Sequence, residues 1–156
     1  MPEFAPVLIV SALNGSNGFR LDGDAASDRS GRVVAGGGDV NGDGFADLLV
    51  GAPNSYTGGE NRGLTWGVFG QATAPAAQGL SARVAAGTAY RFQGEAERDT
   101  AGYSIANAGD VNGDGFDDLI IGAPWGDASY INSGVSYVVF GKSGGFALAL
   151  DLSSLN

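Results

Sequence analysis

The sequence predicts an all-β fold of small antiparallel sheets, and three observations carry that prediction. Gly is abundant, at 28 of 156 residues, and is interspersed with Val, Ile, Leu and Phe, the pattern of short strands joined by tight turns. No stretch keeps a helical periodicity over three turns. The chain also spells nearly the same fifteen residues twice, DVNGDGFADLLVGAP from Asp39 to Pro53 and DVNGDGFDDLIIGAP from Asp110 to Pro124.

The repeat has a fixed period. Asp39 and Asp110 are 71 residues apart, and Val68–Gly70 recurs as Val139–Gly141 at the same offset. Aligned without a gap, residues 18–70 and 89–141 share 24 identities in 53 positions. A duplicated supersecondary unit follows. Ser11–Asn14 (SALN) resembles Ser153–Asn156 (SSLN) at an offset of 142, twice the period. The expected organisation is therefore residues 1–17 as a tag remnant and partial linker of a preceding repeat, 18–88 as the first repeat, 89–145 as the second, and 146–156 as the linker of another.

Each unit reads as four strands. RVVAGGGD and YSIANAGD lead into the acidic loop, and DLLVGAP and DLIIGAP leave it. The latter pair have consecutive apolar residues, as a strand buried on both faces would. GLTWGVFG and GVSYVVFG alternate and are rich in aromatic and β-branched residues. FRLDG and YRFQG are short fourth strands. Four strands in 71 residues match a β-propeller blade. In this order FRLDG is an orphan and the second blade lacks a fourth strand. Exposed edges invite pairing, so another chain or a neighbouring repeat is expected to supply the missing strands.

Composition narrows the function. The net charge of −9 argues against nucleic acid and anionic membranes as partners and favours bound cations. There is no Cys and no His, which removes thiolate chemistry, the Ser-His triad and imidazole zinc sites. No apolar run has the length of a membrane helix. No nucleophile paired with a base is visible, so the reading is not an enzyme.

The acidic loops carry the chemistry. Counted from Asp39, side-chain oxygens fall at positions 1, 3, 5 and 9: Asp39, Asn41, Asp43 and Asp47, then Asp110, Asn112, Asp114 and Asp118. Gly44 and Gly115 at position 6 permit a sharp turn, and the carbonyls of Phe45 and Phe116 at position 7 can add a backbone oxygen. An all-oxygen set in a flexible loop suits Ca2+. An EF-hand is rejected, because position 12 is Val50 or Ile121 rather than Glu and strands flank the loop. Asn-Gly and Asp-Gly turns would explain NGDG alone, but not Asp at positions 1 and 9 of both copies.

The words Phe69-Gly70, Phe140-Gly141, Gly51-Ala52-Pro53 and Gly122-Ala123-Pro124, with the intervening Asp-x-Asn-x-Asp-Gly loop, resemble the FG-GAP repeats of the integrin alpha-subunit propeller. The resemblance covers both units. It implies four-stranded blades, usually seven to a ring, with a calcium loop between the first two strands of each. The ligands it implies are the ten residues just named, Phe45 and Phe116 through their carbonyls. Two units cannot close a ring alone. Three or four copies would give six or eight blades, so a homo-oligomer or neighbouring repeats of a longer parent are expected.

The functional expectation is a calcium-binding structural or adhesion-type module, secreted or at the cell surface, with protein or glycan ligands. The alternative is a carbohydrate-binding lectin, with Trp125 and Tyr130 as candidate ligand-binding residues. Arg20 and Arg91, and Asp28 and Asp99, are repeat mates that read as salt bridges or turn caps. Trp66 and Tyr137 read as sheet packing.

Overall fold

The computed structural model describes residues 9–56, 61–127 and 130–155. Ten strands and one short helix follow in order: β1 (Arg20–Asp22), β2 (Val33–Gly38), β3 (Asp47–Ala52), β4 (Leu64–Val68), β5 (Ala77–Gly79), α1 (Leu80–Ala85), β6 (Ala89–Gln93), β7 (Ser104–Gly109), β8 (Asp118–Ala123), β9 (Val135–Val139) and β10 (Ala149–Asp151). The first sheet has the order β10-β6-β4-β3-β2 and the second β7-β8-β9. β2, β3, β4 and β6 are antiparallel neighbours, and β10 adds in parallel at the edge beside β6. β6 lies in the second sequence repeat, yet completes the sheet of the first.

Two features depart from the expected four-stranded antiparallel units. The second sheet has three strands, as the chain order foretold, but the first has a fifth, parallel strand. The FRLDG strand also finds a partner within the chain, because β1 pairs in parallel with β5, Arg20 opposite Ala77. β5 lies in a linker that carries no alternating apolar signal, and an edge strand of three residues needs none. Among the described residues no closed ring is formed.

The linkers also make helical turns. α1 follows β5 directly, and a 3-10 turn at Leu152–Leu155 follows β10. Leu80 and Leu152 anchor these turns in the core, both fully buried.

The sheets pack face to face. One core joins Leu49, Tyr90 and Phe92 of the first sheet to Ile105, Leu119, Ile121 and Val139 of the second. A smaller core joins Val50, Trp66 and Val68 on the opposite face of the first sheet to Leu80 of α1. The first sheet is thus covered on both faces except at a patch around Val34 and Leu48, and every residue of β4 is buried. The second sheet is covered on one. Leu49 is 0% exposed while its repeat mate Ile120 is 38% exposed. β3 and β8 each fall short of burial on both faces at one residue, Leu48 and Ile120, both 38% exposed on the outward face of their sheets.

Close sheet contact needs small residues at particular places. A Cβ at Gly67 would land on the Tyr90 ring. The aromatic residues gather here, with Tyr90 5.0 Å from Phe69, 5.2 Å from Phe92 and 4.7 Å from Phe146, centroid to centroid.

Candidate functional site

Each acidic loop links two antiparallel strands, β2 to β3 and β7 to β8. A bulge precedes each loop, with a register shift at Gly36/Gly38 and again at Asn107/Gly109. Gly38 and Gly109 sit at φ 73° and 71°, a conformation open to Gly without steric cost. The bulge turns the chain so that the position-1 carboxylate faces into the loop.

The two loops are built alike. Asp39 Oδ1 accepts the main-chain N–H groups of Gly42 and Asp43 at 2.8 and 3.0 Å, and Oδ2 that of Gly44 at 2.9 Å. Asp110 accepts those of Gly113, Asp114 and Gly115 at 2.7, 3.0 and 2.9 Å. Asn41 donates its side-chain amide to Asp43 at 2.9 Å, and Asn112 to Asp114 at 2.8 Å. Positions 3 and 5 are therefore adjacent in both loops. Gly44 and Gly115 take φ 87° and 93°, which makes the sharp turn expected at position 6.

The position-9 carboxylates anchor the loops to the sheets. Asp47 is fully buried and accepts the N–H of Val40 at 3.1 Å and of Gly70 at 2.8 Å. Asp118 does the same with Val111 and Gly141, both at 2.8 Å. This explains why Phe-Gly follows the third strand: its glycine closes on the aspartate of the second. A Cβ at Gly70 would strike the Ala46 carbonyl, so the approach requires glycine.

The electrostatics of the first loop are unbalanced. Burial pushes the Asp47 carboxyl above its ordinary range, and the charges of Asp43 and Asp39 push it further, against the two N–H groups that lower it. A cation at the loop would relieve that repulsion. No three His, Cys, Asp or Glu side chains converge as a ready metal cage among the described residues. The donor set here is mixed, however, adding an asparagine and a main-chain carbonyl to the carboxylates. Each carboxylate oxygen keeps lone-pair capacity beyond its N–H bonds, and hard oxygen donors with no nitrogen or sulfur fit Ca2+.

The two loops touch. Asp117 Oδ2 accepts the N–H of Asp39 at 2.9 Å, and the Asp117 N–H donates to the Asp39 carbonyl at 3.3 Å. The first repeat has Ala46 where the second has Asp117, so sequence comparison alone gave this aspartate no role. That break in the repeat was the available signal.

An FG-GAP repeat family model matches residues 30–66 and 101–139, so each match spans one acidic loop with its strands. The chain belongs to the FG-GAP repeat family. It is 36% identical to Integrin alpha-V of Gallus gallus over 111 residues, 69% of this chain and 10% of that protein. It is 31% identical to Integrin alpha-PS2 of Drosophila melanogaster over 135 residues, 86% of this chain and 9% of that protein. It is 34% identical to Integrin alpha-IIb of Mus musculus over 134 residues, 82% of this chain and 12% of that protein. The chain spans about a tenth of the length of these relatives.

The other candidates of this FG-GAP pair fall in several places. Trp125 is 45% exposed and meets Tyr103 edge-on at 5.4 Å between centroids. Tyr130 is 80% exposed, and beside it Ile131 is exposed too. Trp66 and Tyr137 are buried strand residues, and the Tyr137 hydroxyl donates to Glu95 at 3.0 Å. Arg20 pairs locally with Asp22 at 2.7 Å. Asp99 caps its turn through the Ala96 N–H at 3.0 Å, and Asp28 accepts the Ser55 hydroxyl at 3.2 Å. Asp24 caps the first turn of α1 through the Ser81 N–H at 3.0 Å. No helix among the described residues is long and apolar enough to cross a membrane.

Proposed function

We propose that this chain is a pair of calcium-stabilised β-propeller blades of adhesion type, a structural rather than catalytic module that works in a ring with further blades. The observation that carries the reading is the doubled loop: two copies with the same pinned position-1 aspartate, adjacent position-3 and position-5 side chains, and buried position-9 aspartate. Asp39, Asn41, Asp43, Asp47 and the Phe45 carbonyl would hold one Ca2+. Asp110, Asn112, Asp114, Asp118 and the Phe116 carbonyl would hold another. The ion supplies positive charge among clustered carboxylates, and so rigidifies the hairpin. Binding to the folded chain alone would add stability that grows as the logarithm of free calcium over the dissociation constant. Likeness to integrin alpha subunits supports a secreted or cell-surface setting, where free calcium is high enough for weak sites. Thermal melts in calcium and in chelator test the proposal, and coincident melts would end it.

The open faces support a role beside other blades. Val34 is 66% exposed, while its repeat mate Ile105, 8% exposed, is buried beneath the first sheet. The first sheet's uncovered patch and the second sheet's uncovered face are thus the two complementary sides of the interface already formed between them. Further repeats or a second copy would cover them, and the repeat boundaries proposed are 18–88 and 89–145. A second reading, a glycan-binding propeller, draws on the exposed Trp125, Tyr103 and Tyr130. A glycan array on the wild type and Trp125→Ala distinguishes it, since an adhesion module without sugar recognition gives no specific hit.

A further inference from the structure

α1 holds a residue that breaks the repeat. Counted from the buried leucine that opens each turn, Ser81-Ala82-Arg83 after Leu80 corresponds to Ser153-Ser154-Leu155 after Leu152, one residue out of step with the 71-residue period. Arginine stands where that turn has leucine, and it is not on the surface. Arg83 is 1% exposed, and none of its three guanidinium nitrogens has a hydrogen-bond partner among the described residues. The guanidinium sits 5.3 Å from the centre of the Phe19 ring. A buried cation with five donors and no acceptor is costly unless an anion reaches it.

Arg83 lines a cavity of about 270 Å3 with Phe19, Phe45, Leu48, Phe69 and Gly70. The internal repeat shows what belongs over that surface. The repeat mates of Phe45, Ala46, Gly70 and Gln71 are Phe116, Asp117, Gly141 and Lys142, and in the second sheet these lie under the acidic loop of the first. The Lys142 N–H donates to the Val40 carbonyl at 2.9 Å, and the Asp117 N–H to that of Asp39 at 3.3 Å. A Cβ on Gly42 would come 2.6 Å from the Phe116 ring. The same rule places an acidic loop of the preceding blade over Phe45, Gly70 and the mouth of the Arg83 cavity.

We propose that Arg83 is the receptor for a carboxylate of a neighbouring blade's acidic loop, supplied in solutions of this chain by the Asp110–Asp118 loop of a second copy. The proposal rests on the reading that the open sheet faces are blade-docking faces. It adds a charge-specific contact to a head-to-tail interface of apolar packing and main-chain hydrogen bonds. Arg83 is unpaired in the single chain because its partner belongs to the next one.

Sedimentation equilibrium in saturating calcium, at low and high salt, tests this on the wild type and on Arg83→Leu, the residue of the Leu152–Leu155 turn. The variant's monomer should melt at the same or a higher temperature, since a buried unpaired charge is gone. Its self-association should weaken at least about tenfold and lose much of its salt dependence, as expected for a desolvated charge pair broken on one side. A merely structural arginine would not move the two readouts in opposite directions. Arg83→Met serves as a second apolar variant if Arg83→Leu folds poorly. Association as tight and as salt-dependent in both variants as in the wild type overturns the role of Arg83 and leaves blade docking standing. A wild type that stays monomeric at every concentration overturns both.

Discussion

Asp117 of the second acidic loop accepts the main-chain N–H of Asp39 in the first, at 2.9 Å. The bond crosses from one sheet to the other and fixes the start of the first loop against the second. Asp117→Ala restores the residue of the other repeat and leaves that N–H without its acceptor. Stability should fall by about 1–3 kcal/mol, read as a lower urea midpoint at unchanged slope. An unchanged midpoint would mean that water replaces the aspartate at no cost.

Calcium should bind with one ion per repeat. Asp43→Ala and Asp114→Ala each remove a position-5 carboxylate and should each abolish one site in calorimetric titration, leaving the other. The melting shift between calcium and chelator should shrink in both variants. Full stoichiometry in either would place the ion elsewhere.

The two buried tyrosines should respond oppositely to loss of the hydroxyl. Tyr90 is fully buried and its hydroxyl has no partner among the described residues. Tyr90→Phe removes an uncompensated polar group and should be neutral or stabilising, by up to about 1–2 kcal/mol. The Tyr137 hydroxyl donates to Glu95 at 3.0 Å, and Tyr137→Phe should cost about 1 kcal/mol. Paired denaturation curves check both.

Asp99 should weaken the fold at neutral pH. Burial holds its carboxyl above the ordinary 3.8, with Asp127 and Glu95 adding to the shift. The folded state therefore binds the proton more tightly than the unfolded one. Stability from this group is fully present below about pH 3.8 and is lost as pH rises through the folded value. Asp99→Asn keeps an acceptor for the Ala96 N–H and removes the charge. The variant should be more stable than wild type at pH 7, with the difference vanishing in acid, measured in chelator to keep metal out of the comparison. A gain that persists at pH 3 would have another cause.

Much of the fold was legible because the repeat did the aligning. Val33–Gly38, Asp47–Ala52 and Leu64–Val68 fall within segments read as strands, and Ala89–Gln93 begins one residue before the YRFQG segment. β5, β10 and α1 were not legible. A three-residue edge strand makes few contacts, and Ala77-Gln78-Gly79 has no apolar face to show. The parallel pairing of β1 with β5 joins segments 57 residues apart, and no local pattern records it. In the acidic loops, spacing revealed the candidate ligands, and two observed aspartates differ in ways spacing could not show. Asp47 and Asp118 are anchors as well as candidate ligands, tied to Gly70 and Gly141 at the far ends of other strands. Asp117 and Arg83 carry no periodic signal, because each breaks the repeat.

The sequence by itself determined the module: its period, its strand order, and the oxygen-rich loop placed before a buried strand. These are local properties, encoded by residue spacing and turn chemistry within one repeat. The tertiary structure decided what each residue of the module meets. Leu49 and Ile120 are the same position of the same motif, and one is buried while the other is exposed. Burial depends on what lies across the sheet face, and for an end unit that is a matter of which neighbour is present. The same physics sets Arg83 apart, since a buried charge is a feature of its surroundings and not of its own letter.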